Sequence, residues 1–460
     1  MLLMPGRSRV LRDAVRTAGD KIHSGANTVD VLSALDKARG PMRAYFRSRL
    51  HDSPAATALT LKLLNLLLAK QQFLARSTQL LSRPFGLLVD PSNGCNLACP
   101  GCVQSTRSKS LKLFDWKNGL LSEDRFAGFL ENYGPCGMQI MFCNYGEPIT
   151  NPHTPRLIEM AKGYYAQTAL STNLALPRFD AEAYVRSRLD FMFLAIDGAT
   201  QPVYARYRKN GDIDAVYRNV ENLVTAKRRL GSHTPILRWQ FLAFEHNAHE
   251  IEKALAIAKD LGVDQFVADI PFDVSWDDPD VHPASDVRPI HLELIPDTEK
   301  MLAGNWADCL TPQALERMER QLDRGWMADR NRADLAAMPP DRDPAHTCSW
   351  LYKSTTLDAN GRILPCAGAP KTGTSLVFAN LGDGDPDGFN SPHYRQARLS
   401  FANPPAFQKA CASGGPTPHC LNCEWDQDHT EFGAAQVAQY LRTAGRDAVD
   451  PASIDMCSNW

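Results

Sequence analysis

The pattern of hydrophobic and polar positions changes along the chain, and its most regular part runs from residue 85 to residue 272. Short apolar runs there alternate with longer stretches in which apolar residues recur at helical spacing. Six such β–α repeats predict a parallel sheet covered by helices, which is an α/β fold. The predicted strands are Gly86–Val89, Met138–Phe142, Thr168–Leu170, Phe191–Ile196, Leu237–Phe244 and Gln265–Ile270, and the helices between them include Ser122–Tyr133, Pro155–Tyr165, Val216–Leu230 and Ala248–Leu261.

Residues 1–84 are predicted to form a helical, basic N-terminal extension. They contain 14 Lys and Arg against five Asp and no Glu, although the whole chain carries a net charge of −2. Ser53-Pro54 predicts the start of a helix, because Pro is favoured in the first turn. The Leu-rich stretch Ala58–Leu81 is interrupted by polar residues and predicts an amphipathic helix. This helix could pack on the sheet or on a second subunit, or it could lie on a membrane surface and bind lipid.

The chain after residue 272 is less regular and is divided into three predicted segments. Residues 273–345 are rich in Asp and Pro and predict a linker or insertion, with a helix at Pro312–Arg332. Residues 346–430 predict a small domain with a β-hairpin around Asp358–Gly361. Residues 431–460 predict a helical tail.

Composition narrows the class and the location of the protein. An apolar fraction of 44% and a charged fraction of 22% are typical of a globular chain. No apolar run approaches the roughly 18 residues of a membrane-spanning helix, and no apolar signal-peptide core follows the first five residues. The 12 cysteines cluster at metal-ligand spacings, which favours a reducing compartment.

These features predict a cytoplasmic protein, with association to the membrane surface through residues 1–84 as the alternative. No nucleic-acid partner is expected, because few aromatic residues accompany the N-terminal arginines.

Three cysteines follow the first predicted strand. Cys95, Cys99 and Cys102 have the spacing C-x3-C-x2-C, so their thiolates can converge on one small inorganic centre. Soft thiolates suit zinc, copper(I) or an iron–sulfur cluster. A structural zinc site has four protein ligands, and no fourth Cys or His lies nearby in the sequence. Three thiolates on a four-iron cluster would leave one iron open to a further ligand.

The motif resembles the signature of the radical S-adenosylmethionine (SAM) enzymes. The resemblance implies a [4Fe–4S] cluster on Cys95, Cys99 and Cys102 that binds SAM, and a low-potential electron donor such as flavodoxin or ferredoxin. It implies reductive cleavage of SAM to a 5′-deoxyadenosyl radical, which abstracts hydrogen from a substrate. The implied fold is a partial (β/α)6 radical SAM barrel, with a helical N-terminal extension and a small C-terminal domain of β-hairpin and helix.

Three further segments resemble the SAM-binding positions of this family, and each lies at the end of a predicted strand. In the first, Asn144–Pro148, Tyr145 stands in place of the first Gly of the family's Gly-Gly-Glu motif. The implied SAM-binding residues are Gly146 and Glu147 for the ammonium group, Ser171 and Asn173 for the ribose, and Asp197 and Arg208 for the carboxylate. Arg suits this last role because its guanidinium can bind a carboxylate in bidentate fashion.

A second group of cysteines lies in the C-terminal part of the chain. Thr355–Leu357 and Arg362–Leu364 predict the two strands of the hairpin, and one Cys precedes and one follows it. With a later C-x2-C pair, the four thiols are Cys348, Cys366, Cys420 and Cys423. Four Cys ligands suit both zinc and an iron–sulfur cluster, so the residue types leave both metals open.

This second group resembles the C-terminal extension called SPASM, and more closely its shortened twitch form. The resemblance implies a single auxiliary [4Fe–4S] cluster on the four thiols, because His429 stands where a full SPASM extension has another Cys. Cys411 and Cys457 are spare thiols that could replace one ligand, whereas Cys309 is interpreted as structural.

The predicted function is that of a radical SAM oxidoreductase or maturase. Its expected substrate is a peptide side chain or a small natural product such as an aminoglycoside, with electron transfer to the auxiliary cluster. One alternative is radical chemistry on lipid chains at the membrane surface, and another is a non-catalytic metal-binding protein. The sequence identifies neither the substrate nor a catalytic acid or base.

Overall fold

The structure describes thirteen ranges of the chain, and helices α1 (Thr28–Leu50) and α2 (Ser53–Leu74) lie in the first part. The computed structural model describes residues 11–13, 16–17, 20–21, 28–50, 53–104, 118–271, 279–296, 298–332, 347–368, 375–382, 387–423, 434–445 and 448–449. The predictions that concern His429 and Cys457 lie outside these residues.

A ten-stranded sheet forms the centre of the described structure, with the order β10-β9-β8-β1-β2-β3-β4-β5-β6-β7. Strands β1 to β6 are neighbours in chain order and pair in parallel, which confirms the predicted α/β class and the (β/α)6 order. The strands are β1 (Gly86–Val89), β2 (Gln139–Phe142), β3 (Gln167–Thr172), β4 (Phe191–Ala195), β5 (Ile236–Leu242), β6 (Gln265–Asp269), β7 (Ile290–Glu293), β8 (Ser354–Leu357), β9 (Arg362–Leu364) and β10 (Ala379–Asn380).

Local sequence explains where several helices begin. Ser122 accepts a hydrogen bond from the Arg125 N–H, and Asp212 accepts from the Asp214 and Ala215 N–H groups, so each caps the first turn of a helix. The helices after β1 are α3 (Glu123–Tyr133), α4 (Thr154–Lys162), α5 (Ala181–Arg186), α6 (Gln201–Tyr207), α7 (Ile213–Leu230), α8 (Ile251–Leu261), α9 (Thr298–Gly304), α10 (Pro312–Arg324), α11 (Trp350–Lys353), α12 (Pro392–Ala402), α13 (Pro404–Ala412) and α14 (Ala434–Gly445).

Residues along the parallel strands alternate between two environments. Leu87 and Ile140 face the helices and are buried in the main hydrophobic core. Their chain neighbours Leu88 and Met141 lie on the opposite face and are only partly buried. This period of two is expected when helices cover one face of a sheet. We call the opposite face, which the helices do not cover, the inner face.

The predicted hairpin is present and extends the same sheet. β8 and β9 pair antiparallel, and β8 lies parallel beside β1 with Gly86 opposite Ser354. Gly361, at the turn, has a φ of 88°, a conformation that glycine adopts without strain. The core and the small C-terminal domain therefore share one sheet.

Helix α2 is buried on every side, which corrects the amphipathic prediction for Ala58–Leu81. The polar residues Lys62 and Asn65 are fully buried with its leucines, since Lys62 donates to the Gly137 carbonyl and Asn65 bonds to the backbone of Arg83. The helix also ends at residue 74, and α1, α10 and α11 pack against it. Of the two interpretations, the structure supports packing within the protein.

The predicted linker contributes a strand and two helices. β7 pairs antiparallel with β6, and α10 ends at Arg324 before a 3-10 turn at Met327–Arg332, so the helix is shorter than predicted. Within this segment Cys309 lies close to Lys162, and burial raises the pKa of its thiol. No helix among the described residues is long and apolar enough to cross a bilayer.

Helix α14 lies across the N-terminal ends of the central strands. Gln139, at the start of β2, donates to the Gln436 carbonyl at 3.2 Å. The Tyr440 hydroxyl donates to the Tyr165 carbonyl, just before β3, at 3.1 Å. The predicted tail of residues 431–460 thus contains a helix that closes the end of the sheet opposite the cysteine loop.

Candidate functional site

The three cysteines of the C-x3-C-x2-C motif lie in a loop directly after β1. The Cys102 N–H donates to the Cys99 carbonyl at 3.2 Å, and the Leu97 N–H donates to Cys95 Sγ at 3.4 Å. Cys99 and Cys102 both lie close enough to Cys95 to influence the pKa of its thiol. The loop therefore folds back on itself and gathers the three thiols.

Two predicted SAM-binding residues reach these thiols from other parts of the sheet. Asn173, directly after β3, places Nδ2 3.8 Å from Cys95 Sγ. Arg208, directly after α6, places Nη1 3.8 Å from Cys99 Sγ. The adjacent Lys209 carbonyl accepts a hydrogen bond from the Ala98 N–H at 3.2 Å. Segments that follow β1, β3 and β4 thus meet at the cysteine loop.

Burial dominates the ionisation of the three thiols. It raises the pKa of Cys95 to about 12 and that of Cys99 to about 11, and it also raises the pKa of Cys102. Arg208 opposes the rise at Cys99 and Cys102. Because thiols deprotonate when they bind a metal, a cationic centre among them would offset the cost of the buried charges. Three clustered soft donors fit an iron–sulfur cluster.

The segment after β2 packs tightly against the cysteine loop. The N–H groups of Tyr145 and Gly146 donate to the buried carboxyl group of Asp90 at 3.4 and 3.2 Å. A Cβ at Gly146 would lie 1.7 Å from the Ser92 carbonyl oxygen, so only glycine fits there. Burial raises the pKa of Asp90 to about 8. Gly146 therefore lies against the cysteine loop, and its contact with SAM stays a prediction.

Glu147 is buried, and both of its carboxyl oxygens accept hydrogen bonds. Oε1 accepts from Thr172 Oγ1 at 2.6 Å, and Oε2 accepts from the Asn173 N–H at 2.8 Å. Burial raises the pKa of Glu147, and these two hydrogen bonds oppose the rise. Glu147 thereby orients the end of β3, and its contact with an ammonium group stays a prediction.

Asp197 and Arg208 form a buried ion pair at the end of β4. The Arg208 Nε donates to Asp197 Oδ2 at 2.5 Å, and Asp197 Oδ1 accepts from the Leu242 N–H at 2.7 Å. Burial raises the pKa of Asp197, with Arg208 opposing. Burial would lower the pKa of Arg208, but Asp197 and Cys99 hold it well above its usual value. Asp197 thus fixes a permanently charged guanidinium beside the cysteine loop.

Ser171 lies on the inner face of β3 beside Cys143 and lowers the pKa of its thiol, opposing the rise that burial causes. Cys143 is also within electrostatic range of Cys102. The adjacent Asn144 has buried Nδ2 and Oδ1 atoms that lack a hydrogen-bond partner among the described residues. A buried amide without partners is costly. The unpartnered amide of Asn144 therefore fits a polar ligand such as SAM.

The four predicted auxiliary thiols also come together. Cys348 precedes α11, Cys366 follows β9, and Cys420 and Cys423 lie on a 3-10 turn at His419–Asn422 and directly after it. Burial, followed by Cys348, Cys366 and Cys423, holds the pKa of Cys420 well above its usual value. Burial also raises the pKa of Cys348 to about 11. The thiols of Cys348, Cys366 and Cys423 therefore lie near Cys420, and four cysteines are a residue set that suits a four-iron cluster as well as zinc.

Tyr145 connects the two cysteine groups. Its hydroxyl donates to the Gly368 carbonyl at 2.6 Å, two residues after Cys366. A Cβ at Gly368 would lie 3.3 Å from Cys366 Sγ and 3.0 Å from His419 Nε2, so the backbone passes close to this thiol. The residue that departs from the family's glycine motif is thus a contact between the two candidate sites.

Of the two spare thiols, Cys411 lies among the described residues and Cys457 does not. Cys411 lies on α13 and accepts a hydrogen bond from Gln396 Nε2 at 3.5 Å. In the described part of the chain, no three His, Cys, Asp or Glu side chains form a group that could hold a single metal ion.

Sequence reasoning assigned no role to four residues at the first site. Asp90, Cys143 and Asn144 follow strand ends directly, so the strand-end position that identified Ser171 could have found them. Asn96 accepts from Asn173 Nδ2 at 3.0 Å and lies within the cysteine loop, where no pattern distinguishes it.

Comparison with known proteins finds one matching family model. Residues 89–238 match the model described as "Radical SAM superfamily". No curated protein matches the sequence. Among solved structures, the chain is similar to SuiB of Streptococcus suis bound to S-adenosylmethionine, at 14% identity and a TM-score of 0.42, over 77% of this chain and 74% of that chain.

Two further solved structures have the same low level of similarity. Native anSMEcpe with bound AdoMet has 15% identity and a TM-score of 0.41, over 82% of this chain and 100% of that chain. BtrN in complex with AdoMet and 2-DOIA has 12% identity and a TM-score of 0.34, over 69% of this chain and 87% of that chain.

Proposed function

We propose that this protein, an enzyme with a radical SAM domain at residues 89–238, is an oxidoreductase that abstracts hydrogen from a peptide or a small natural product and transfers an electron to an auxiliary cluster. One observation supports this most directly. Asn173 and Arg208, from separate strand ends, lie 3.8 Å from Cys95 Sγ and Cys99 Sγ. Polar groups from separate strands thus surround one thiol cluster, as a cofactor with several functional groups requires.

Cys95, Cys99 and Cys102 would hold the SAM-binding [4Fe–4S] cluster. When bound, this cluster and SAM supply the 5′-deoxyadenosyl radical, with an electron from a low-potential donor such as flavodoxin or ferredoxin. The protein's part is to bind, orient and exclude water. Arg208, held by Asp197, offers a fixed positive charge for the SAM carboxylate.

The remaining assigned residues would hold the other functional groups of SAM. Gly146 lets the segment after β2 pack closely against the Ser92 backbone, and the adjacent Glu147 places a buried carboxyl group near Cys95. Ser171 and Asn173 present a hydroxyl and an amide at the end of β3 for the ribose.

Cys348, Cys366, Cys420 and Cys423 would hold an auxiliary [4Fe–4S] cluster. Hydrogen abstraction leaves a substrate radical, and a neutral oxidised product forms only when one more electron and a proton leave. A buried cluster would accept that electron. Because all four ligands are cysteines, no iron of this cluster would be open to the substrate. This favours electron transfer over direct binding of the substrate. Proximity through the Tyr145–Gly368 hydrogen bond supports placing it near the first site.

The test of radical chemistry is reductive cleavage of SAM. The full-length protein, reconstituted with iron and sulfide under anaerobic conditions, should convert SAM to 5′-deoxyadenosine slowly when dithionite is added. Cys99→Ala should abolish this turnover, whereas Cys411→Ala, on α13, should retain it. Turnover that survives in Cys99→Ala would refute the assignment.

The test of the auxiliary site is iron and acid-labile sulfide per chain. The wild-type protein should bind two four-iron clusters, and Cys348→Ala/Cys366→Ala should bind one. Zinc in the wild type, with one cluster in both proteins, would instead make the second site structural and would exclude electron transfer to it.

A further inference from the structure

A cavity lies on the inner face of the sheet, at the end opposite the cysteine loop. Its volume is about 490 Å³, which is within the usual range of small-ligand sites. β1 to β5 supply its walls, and Gln436 and Gln439 of α14 line one side. None of the residues assigned to the cofactors lines it.

The deeper wall of the cavity is apolar. Leu88, Met141 and Phe193 line it from the third positions of their strands. Ala169, third in β3, lies opposite Met141 in the register of β2 and β3. Phe191 also lines it and belongs to a small apolar cluster that is separate from the main core. This wall can bury a hydrocarbon chain.

The N-terminal rim of the cavity carries hydrogen-bond donors and positive charge. Lys353 lies directly before β8, Arg238 lies near the start of β5, and Gln167 is the first residue of β3. The Arg238 Nε donates to Gln265 Oε1 at 2.6 Å, and its guanidinium lies over the Phe193 ring; burial lowers its pKa, with Glu293 opposing. Burial and the charge of Lys353 together lower the pKa of the neighbouring Lys70 to about 8. The described residues that line the cavity include no Asp or Glu.

Gln167 offers a buried donor with no partner. Its side chain is 3% exposed, and its Nε2 has no hydrogen-bond partner among the described residues. The orientation of the amide follows from its neighbours. Gln139 must turn its Nε2 toward the Gln436 carbonyl, and the same Nε2 donates to Gln167 Oε1 at 2.6 Å. The free atom of Gln167 is therefore the N–H donor, and it lacks an acceptor.

We propose that this cavity binds an anionic amphiphile, a molecule with a hydrocarbon chain and one carboxylate or phosphate group. The hydrocarbon chain lies along Leu88, Met141, Ala169 and Phe193. The anionic group lies at the rim, where Lys353, Arg238 and the Gln167 amide donate to it. An acceptor there also satisfies the buried amide.

The cavity has a defined direction relative to the cysteine loop. Met141 lies two residues before Cys143, which directly follows β2, and Ala169 lies two residues before Ser171 of β3, a distance of about 7 Å in each case. The end of the hydrocarbon chain therefore points toward the residues assigned to SAM. This binding site goes beyond the proposed chemistry and does not depend on it, because binding is measured without turnover.

The test is calorimetric titration of the full-length, reconstituted protein with dodecanoate, below its micelle concentration, and with dodecanol in parallel. The wild type should bind dodecanoate one to one and at least tenfold more tightly than dodecanol. Dodecyl phosphate, titrated likewise, distinguishes a phosphate from a carboxylate headgroup. Ala169→Phe should abolish binding of all three by filling the cavity.

A matched pair of variants tests whether dodecanoate binding requires the positive charge of Lys353. Lys353→Met should weaken dodecanoate binding about tenfold and leave dodecanol binding unchanged. Lys259→Met, at an exposed position on α8, should leave both unchanged. Leu88→Phe serves as a second filling variant if Ala169→Phe does not fold, as judged by circular dichroism. Absence of saturable binding to the wild type, or equal binding by a folded filling variant, would overturn the proposal.

Discussion

At the scale of single residues, Gly146 is the position with the least room at the candidate site. A Cβ there would lie 1.7 Å from the Ser92 carbonyl oxygen, and backbone atoms cannot yield as a flexible side chain does. We expect Gly146→Ala to lower the free energy of unfolding by about 1–3 kcal/mol or more, as overpacking does.

Gly128, inside α3, is the matched control because a Cβ there meets no atom within 4 Å. Gly128→Ala should raise stability by about 0.5–1 kcal/mol, since alanine favours the helix. Thermal unfolding followed by circular dichroism compares the two. An unchanged melting temperature for Gly146→Ala would show that the loop moves freely.

Lys62 is a second residue whose burial has a testable effect, here on how the free energy of unfolding depends on pH. Burial lowers the pKa of Lys62 to about 7, with Cys136 and Cys309 opposing. Between pH 7 and pH 10.5 the unfolded chain therefore binds more protons than the folded one, so stability rises with pH in this window, by up to about 1.4 kcal/mol per pH unit. Lys62→Met should remove this slope.

The measurement for Lys62 is urea unfolding of wild type and variant at several pH values between 7 and 10. At each pH, the free energy of unfolding of the variant is subtracted from that of the wild type. This difference cancels the contribution of groups that titrate in the same way in both proteins. A slope that is the same in Lys62→Met would contradict the prediction.

At the scale of elements, a buried Lys–Asp ion pair occurs at two places, and each pair joins a helix to the sheet. Lys162, at the end of α4, bonds Asp190, directly before β4, at 2.5 Å, and Lys227 of α7 bonds Asp264, directly before β6, at 2.6 Å. Each Asp also accepts a backbone N–H from the neighbouring strand. These contacts set the height of each helix relative to the strand ends that carry the site.

Breaking the first of these pairs should be costly. Lys162→Met leaves the buried charge of Asp190 without its partner, and we expect a loss of about 3–5 kcal/mol. Arg186→Met breaks the exposed pair with Glu182 and should cost much less, because water screens that pair. Urea unfolding measures both, and similar losses in the two variants would show that Lys162 does not act through the buried pair.

At the scale of the whole molecule, the continuous sheet makes the core depend on the C-terminal part. β8 pairs with β1 along its whole length, so removing β8 leaves β1 as an unprotected edge. A chain that ends at residue 345 should therefore be poorly soluble and quickly digested by trypsin. A chain that ends at residue 450 keeps every described element and should behave as the full protein does.

This prediction is tested by sedimentation and limited proteolysis of the two shortened chains. A soluble, protease-resistant product from the chain that ends at 345 would show that the core folds alone. In that case the shared sheet would be a docking contact and not a condition for folding.

Local patterns in the sequence determined much of the fold. All six parallel strands lie within two residues of their predicted bounds, and the hairpin is present, because alternation and turn residues are local properties. The spacing of the cysteines predicted a radical SAM domain, and residues 89–238 match the family model of that description. α5 and α6 were missed, since six or seven residues are too few to show a helical period.

Only the tertiary structure decided the environment of these residues. Helical periodicity could not show that Lys62 and Asn65 are buried, because their burial depends on carbonyl groups and helices distant in the chain. Nor could spacing show that Arg208 meets Cys99, 109 residues away, or that Tyr145 meets Gly368. The sequence by itself determined the elements of the sheet and predicted which cysteines group together. Long-range packing decided which side chains are buried, which charges pair and where the sheet leaves a cavity.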